Sequence, residues 1–123
     1  MPLTKGLRDE ENERINNILK RLIGLDYVPE NEDSALDEIL KELALDTKSV
    51  LDLSNEEMIS HLEKLHFDWA NAEQFADFLV LLSDKKHEDK IGLRQKALAV
   101  YNYIQTESKM FSFEIFRKIG TIQ

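Results

Sequence analysis

Apolar residues recur along this chain at spacings of three and four and almost nowhere alternate, so the pattern predicts helices throughout. Ile15, Ile18, Leu19 and Leu22 mark the inner face of a first helix over residues 10–23. Lys20 and Arg21 suit its carboxyl end, and Gly24 is available as a left-handed terminator. Residues 25–31 read as a loop, because Pro29 disfavours helix in the residue before it. Ser34 is the expected cap of a second helix ending near Leu43, with Asp37 a weaker reciprocal partner and Leu36, Ile39, Leu40 and Leu43 facing inward. Residues 44–53 form an irregular or short helical connection anchored by Val50, Leu51 and Leu53.

The sharpest local signal is Ser54-Asn55-Glu56-Glu57, a capping box in which Ser54 and Glu57 satisfy each other's amides. Leu53 and Met58 occupy the staple positions, and Ile59, Leu62 and Leu65 continue the face. Asp68 or Asn71 opens the next helix. Its apolar arc, from Trp69 through Phe75, Ala76, Phe78, Leu79, Leu81 and Leu82, is too wide for a helix with one solvent face, which makes it central. After a polar turn at 83–89, a helix over 88–107 carries Ile91, Arg94, Ala97, Leu98, Tyr101 and Ile104 on one stripe, widened by Val100 and Tyr103. Ser112 caps a final short helix stapled by Phe111 and Phe116 and ending near Gly120. The expected fold is all-α: one domain over residues 1–123, of five or six helices around a central antiparallel pair, with 1–8 and 121–123 flexible.

Composition agrees with a folded domain, at 42% hydrophobic and 33% charged residues. The absence of Cys excludes disulfides, thiolate catalysis and Cys-based metal sites. No apolar run approaches the roughly 20 residues a membrane span needs, and the amino terminus turns acidic before a signal segment develops, so a cytoplasmic location is expected. A net charge of −8 disfavours nucleic acid as a partner. That charge is uneven: Arg94, Lys96, Lys109, Arg117 and Lys118 face only Glu107 and Glu114 beyond residue 90, and five of the nine Phe and Tyr residues fall there too. Docking of this cationic end on the acidic remainder accounts for the asymmetry, with a basic site for an external ligand as the alternative.

Candidate chemistry is thin. His61 and His66 stand about 140° apart on a helix and so miss the i,i+4 spacing of a zinc-protease pair, while His87-Glu88-Asp89 on a turn builds no closed shell. The acid pairs Glu56/Glu57, Glu88/Asp89 and Asp33/Asp37 sit where helix starts attract carboxylates. Four isolated glycines make no phosphate loop. No catalytic residue, metal or cofactor is therefore assigned. What remains is recognition: Tyr101, Tyr103, Lys109, Phe113 and Arg117 are the interaction candidates, since aromatic rings beside cations commonly anchor protein contacts.

Residues 71–79, Asn-Ala-Glu-Gln-Phe-Ala-Asp-Phe-Leu, and 93–101, Leu-Arg-Gln-Lys-Ala-Leu-Ala-Val-Tyr, together resemble a degenerate tetratricopeptide-type helical pair, and Phe111-Ser112-Phe113-Glu114 resembles the start of a further helix in small bacterial helical proteins of this kind. The resemblance places Ala97 and Tyr101 at the small and aromatic packing positions of the second helix, and Phe75 and Leu79 in the first. It implies a protein-binding role, although the usual glycine of the first helix and a second full repeat are both missing. The reading that follows is a non-catalytic interaction or scaffolding module with a protein partner or a second copy of itself. The competing class is a small enzyme or small-molecule binder with a polar pocket near Tyr101 and Tyr103.

Overall fold

The computed structural model describes the backbone of residues 3–24 and 32–122, with side chains from residues 10–24 and 34–122. Seven α-helices follow in order: α1 Leu3–Gly24, α2 Glu32–Leu40, α3 Thr47–Asp52, α4 Asn55–Lys64, α5 Trp69–Lys85, α6 Lys90–Glu107 and α7 Phe113–Ile122. Single 3₁₀ turns at Lys41–Leu43 and His87–Asp89 complete them, and the described residues contain no strand. The expected loop at 25–31 lies outside the described residues. No helix among those described is long and apolar enough to cross a membrane.

The helices number more than five or six because the connection at 44–53 contains a true helix. Asp46 accepts the Ser49 amide at 2.7 Å while the Ser49 hydroxyl accepts the Asp46 amide at 2.9 Å, a capping box that starts α3. Asp37, expected to help cap its own helix, instead takes the amide and hydroxyl of Thr47 at 2.7 and 2.6 Å and pins α3 against α2. Ser34 is accordingly not a cap: α2 already begins at Glu32. The Ser54–Glu57 box opens α4 as expected, and Met58 is fully buried beneath it. Asp68 caps α5 through the Asn71 amide, which leaves Asn71 inside the helix, its side chain donating to the Asn12 carbonyl of α1.

Neither Gly24 nor Gly120 is left-handed; both lie within helices, and α7 runs on to Ile122. The left-handed positions belong to Ala44, His66 and Lys109, at φ near 60°. After α4, the His66 amide reaches the Glu63 carbonyl and the Phe67 amide the Leu62 carbonyl, the paired bonds of a Schellman ending with His66 where glycine is preferred. Ala44 closes the preceding turn by the same pair of bonds, from Ala44 to Lys41 and from Leu45 to Leu40. Because a side chain in this conformation costs about 1 kcal/mol relative to glycine, Ala44→Gly is expected to raise stability by somewhat less than that. Urea denaturation checks it, and a lowered midpoint would refute it.

The core draws on all seven helices. Helices α5 and α6 form the central antiparallel pair, α1 packs on the other side of α5, and α4 and α7 pack on α6. Phe75, Ala76 and Leu79 of α5 meet Leu93, Ala97, Val100 and Ile104 of α6 with no exposed surface or almost none. The α6 stripe is rotated from the expected one. Ile91 stands out in solvent at 75% exposure, and Lys96 is buried in its stead, its ammonium donating to the Leu51 carbonyl of α3 at 3.2 Å. The aliphatic lysine stem supplies apolar contact while its part-buried ammonium keeps the Leu51 carbonyl as an acceptor, so a charged residue here serves the core. Trp69 and Leu81, placed on the inner arc by their spacing, are likewise substantially exposed.

Candidate functional site

The chain between α6 and α7 is short, polar in its bonding and apolar in what it presents. Ser108 caps α6 with its amide on the Ile104 carbonyl, and left-handed Lys109 turns the chain away. Gln105 then clamps the returning strand of the loop: its amide nitrogen donates to the Ser112 carbonyl at 3.1 Å and its oxygen accepts the Ser112 amide at 3.0 Å. Ser112 in turn accepts the Ile115 amide at 3.2 Å, the capping role its sequence position implies. Gln105 carries no sequence signature for this role, since only the folded-back loop brings residue 112 opposite it.

Helix α7 has two unlike faces. Ile115 and Ile122 are buried and Ile119 packs against the core, whereas Phe113, Phe116, Arg117 and Gly120 lie on the opposite side. Phe111 and Phe116 do meet, with ring centroids 5.7 Å apart, and Phe111 meets Phe113 edge to face at 5.0 Å. The staple is thus formed, but over solvent: Met110, Phe111, Phe113 and Phe116 are 74%, 62%, 80% and 61% exposed. At about 200 Å² per ring, the three phenylalanines alone expose roughly 400 Å² in one place, within the range at which patches on monomers become functional surfaces.

The five candidates from the sequence do not form one site. Phe113 and Arg117 share the outer face of α7, Lys109 precedes it in the turn, and Arg117 is ion-paired to Glu114 at 2.6 Å in full solvent. Tyr103 faces another way. Its ring lies tilted against Trp69, with centroids 5.6 Å apart, and its hydroxyl donates to Glu63 at 3.2 Å; partial burial, helped by that carboxylate, holds the phenol above its ordinary pKa.

Tyr101 is buried in the α5–α6 pair and donates to Asp77. Burial first, then the Asp77 carboxylate, pushes its hydroxyl far above the usual phenol range. Lys118 of α7 reaches the same carboxylate at 3.1 Å and Glu73 at 2.6 Å. Burial pulls the Lys118 ammonium down, but the two carboxylates outweigh it and hold its pKa above the ordinary lysine value. Beside this cluster opens a cleft of about 470 Å³, lined by Asp77, Tyr101, Arg117, Lys118 and Thr121 and by apolar residues including Ile23 and Val80.

Much of the cationic excess is therefore spent inside the protein. Lys118 binds Glu73 and Asp77, Arg94 binds Asp84 at 3.2 Å, and Lys96 holds a backbone carbonyl. His61 is also structural, its Nε2 lying 2.8 Å from the Leu43 carbonyl. Among the described residues no group of three or more His, Asp or Glu side chains is placed to hold a metal ion. No family model matches the chain, and neither a curated protein nor a solved structure does.

Proposed function

We propose that this protein is a non-catalytic interaction module whose contact surface is the aromatic cap formed by Met110, Phe111, Phe113 and Phe116. The observation that carries this reading is the exposure of four large apolar side chains on a loop and helix otherwise held firmly in place. A helix needs its inner isoleucines to dock; it has no folding use for a second, outward row of rings. Such rings cost solubility and gain energy only when something covers them. The antiparallel α5–α6 pair, with Ala97 and Tyr101 packed between its helices, is in keeping with the tetratricopeptide-like resemblance and with its use as a platform.

The cleft beside Tyr101 favours a second reading, a small-molecule pocket. Its polar groups are already engaged, however: Tyr101 with Asp77, Lys118 with two carboxylates, Arg117 with Glu114 and Thr121 with the Arg117 carbonyl at 2.9 Å. These groups are drawn toward one another rather than left unpaired toward the cleft, so the aromatic cap is the stronger claim.

A photo-reactive residue in place of Phe113, compared with one in place of exposed Asn102 on α6, tests the reading in the native cell. Discrete protein adducts are expected from position 113 and none from 102. Equal behaviour at the two positions would refute it.

A further inference from the structure

We infer that the partner at the aromatic cap is a second copy of this chain, docked with α7 against α7 in antiparallel fashion about a two-fold axis; the inference rests on the interaction reading above and specifies its occupant. Three features of the outward face are self-complementary. The first is shape. Phe113, Phe116 and Gly120 fall on one strip at spacings of three and four, opposite the buried isoleucines, and space is open around Gly120 where a side chain would begin. An antiparallel pairing that sets residue 116 beside residue 117 of the second copy brings each Phe113 over the bare Gly120 of the other. The large residue at one end of the strip then fills the gap at the other end.

The second is charge. Glu114 and Arg117 are both fully exposed on this helix and are paired with each other only through solvent-facing atoms. In the antiparallel arrangement the flank carrying them meets the same flank of the second copy, so that Arg117 of each lies within reach of Glu114 of the other. The arrangement repeats twice about the axis, as an isologous contact requires. A protein of net charge −8 would ordinarily repel its own kind, yet this cap carries Lys109, Arg117 and Glu114, the local exception to the acidic surface.

The third is area. Two sets of three rings, each exposing roughly 400 Å² in total, would supply about half of a standard interface of about 1,600 Å². Met110 and the flanking turns of α7 extend the same surface.

The test uses the full-length protein in sedimentation velocity and light scattering, across a concentration series into the high micromolar range. The wild type is expected to show twice the mass of one chain, with Phe113→Ser and Phe116→Ser each weakening the dimer by about tenfold or more. Glu114→Arg and Arg117→Glu, at exposed positions and with helical content checked by circular dichroism, should each be monomeric alone. Mixed in equal amounts, they should form a heterodimer, because each supplies the charge the other lacks. Failure of the mixture to associate overturns the α7 pairing. A monomeric wild type whose position 113 cross-links to a different protein overturns self-association and leaves the interaction reading standing, while a monomer with no adduct overturns both. A monomer that instead sediments with phosphatidylserine vesicles overturns the inference in favour of a lipid surface.

Discussion

Phe75→Ala is expected to cost about 3–5 kcal/mol of folding stability, enough to leave the chain largely unfolded if its stability is typical of a domain this size. Phe75 has no solvent exposure, and its ring stands edge-on to Phe67 at 6.1 Å and tilted against Phe78 at the same distance. Phe67 follows the Schellman turn after α4, so this one ring ties α4's end to α5 as well as filling the α5–α6 seam. Truncation removes its transfer free energy and two aromatic contacts, and it opens a cavity where three segments meet and none can move in freely. Chemical denaturation monitored by circular dichroism measures the loss. A cost under about 1 kcal/mol would mean that the site collapses readily, and that the core is not built around α5 as described.

The importance of α5 was readable in advance because its apolar arc was wider than one face requires, and a helix contacted by α1 and α6 needs two faces. The capping box at Ser54 and the cap at Ser112 were equally legible, since both depend on residues three apart. Helix ends were less so. Composition predicts stops at Gly24 and Gly120, whereas the chain turns left-handed at Ala44, His66 and Lys109, exposed residues whose types do not mark them for a conformation that favours glycine. The α6 face is hidden for another reason: Ile91 looks like core and Lys96 like surface until the carboxyl end of α3 is known to lie over Lys96. Spacing suggests a core role for Tyr101 and a stapling role for Phe111 and Phe116. It does not show that the stapled rings face water, because α7 is short and apolar on two sides, and the Lys118 clasp on Glu73 and Asp77 that accompanies the docked side joins residues 41 or more apart in sequence.

That clasp gives the second large expectation. Asp77→Ala should cost about 2–4 kcal/mol, because it leaves the buried Tyr101 hydroxyl without its acceptor and removes one of the two carboxylates holding Lys118. The damage should concentrate in α7, so amide exchange over residues 115–122 should accelerate more than exchange in α5. A uniform acceleration would deny the clasp its local role. The same groups set an alkaline limit. Tyr101 has a folded pKa raised above its ordinary 10.0, and Lys118 one raised above 10.5. Below about pH 10 the unfolded chain holds the same protons as the folded one at these sites, and their contribution is intact. As pH rises further, the unfolded chain gives up protons that the folded chain retains, so stability must fall, by up to about 1.4 kcal/mol per pH unit for Tyr101 alone. In Tyr101→Phe the hydroxyl is gone, and the decline between pH 10 and 12 should be shallower than in the wild type, even though the variant is less stable at neutral pH. Parallel declines in the two proteins would show that Tyr101 does not hold its proton through folding, and the buried Tyr101–Asp77 bond would then have to be abandoned as the link between α5, α6 and α7.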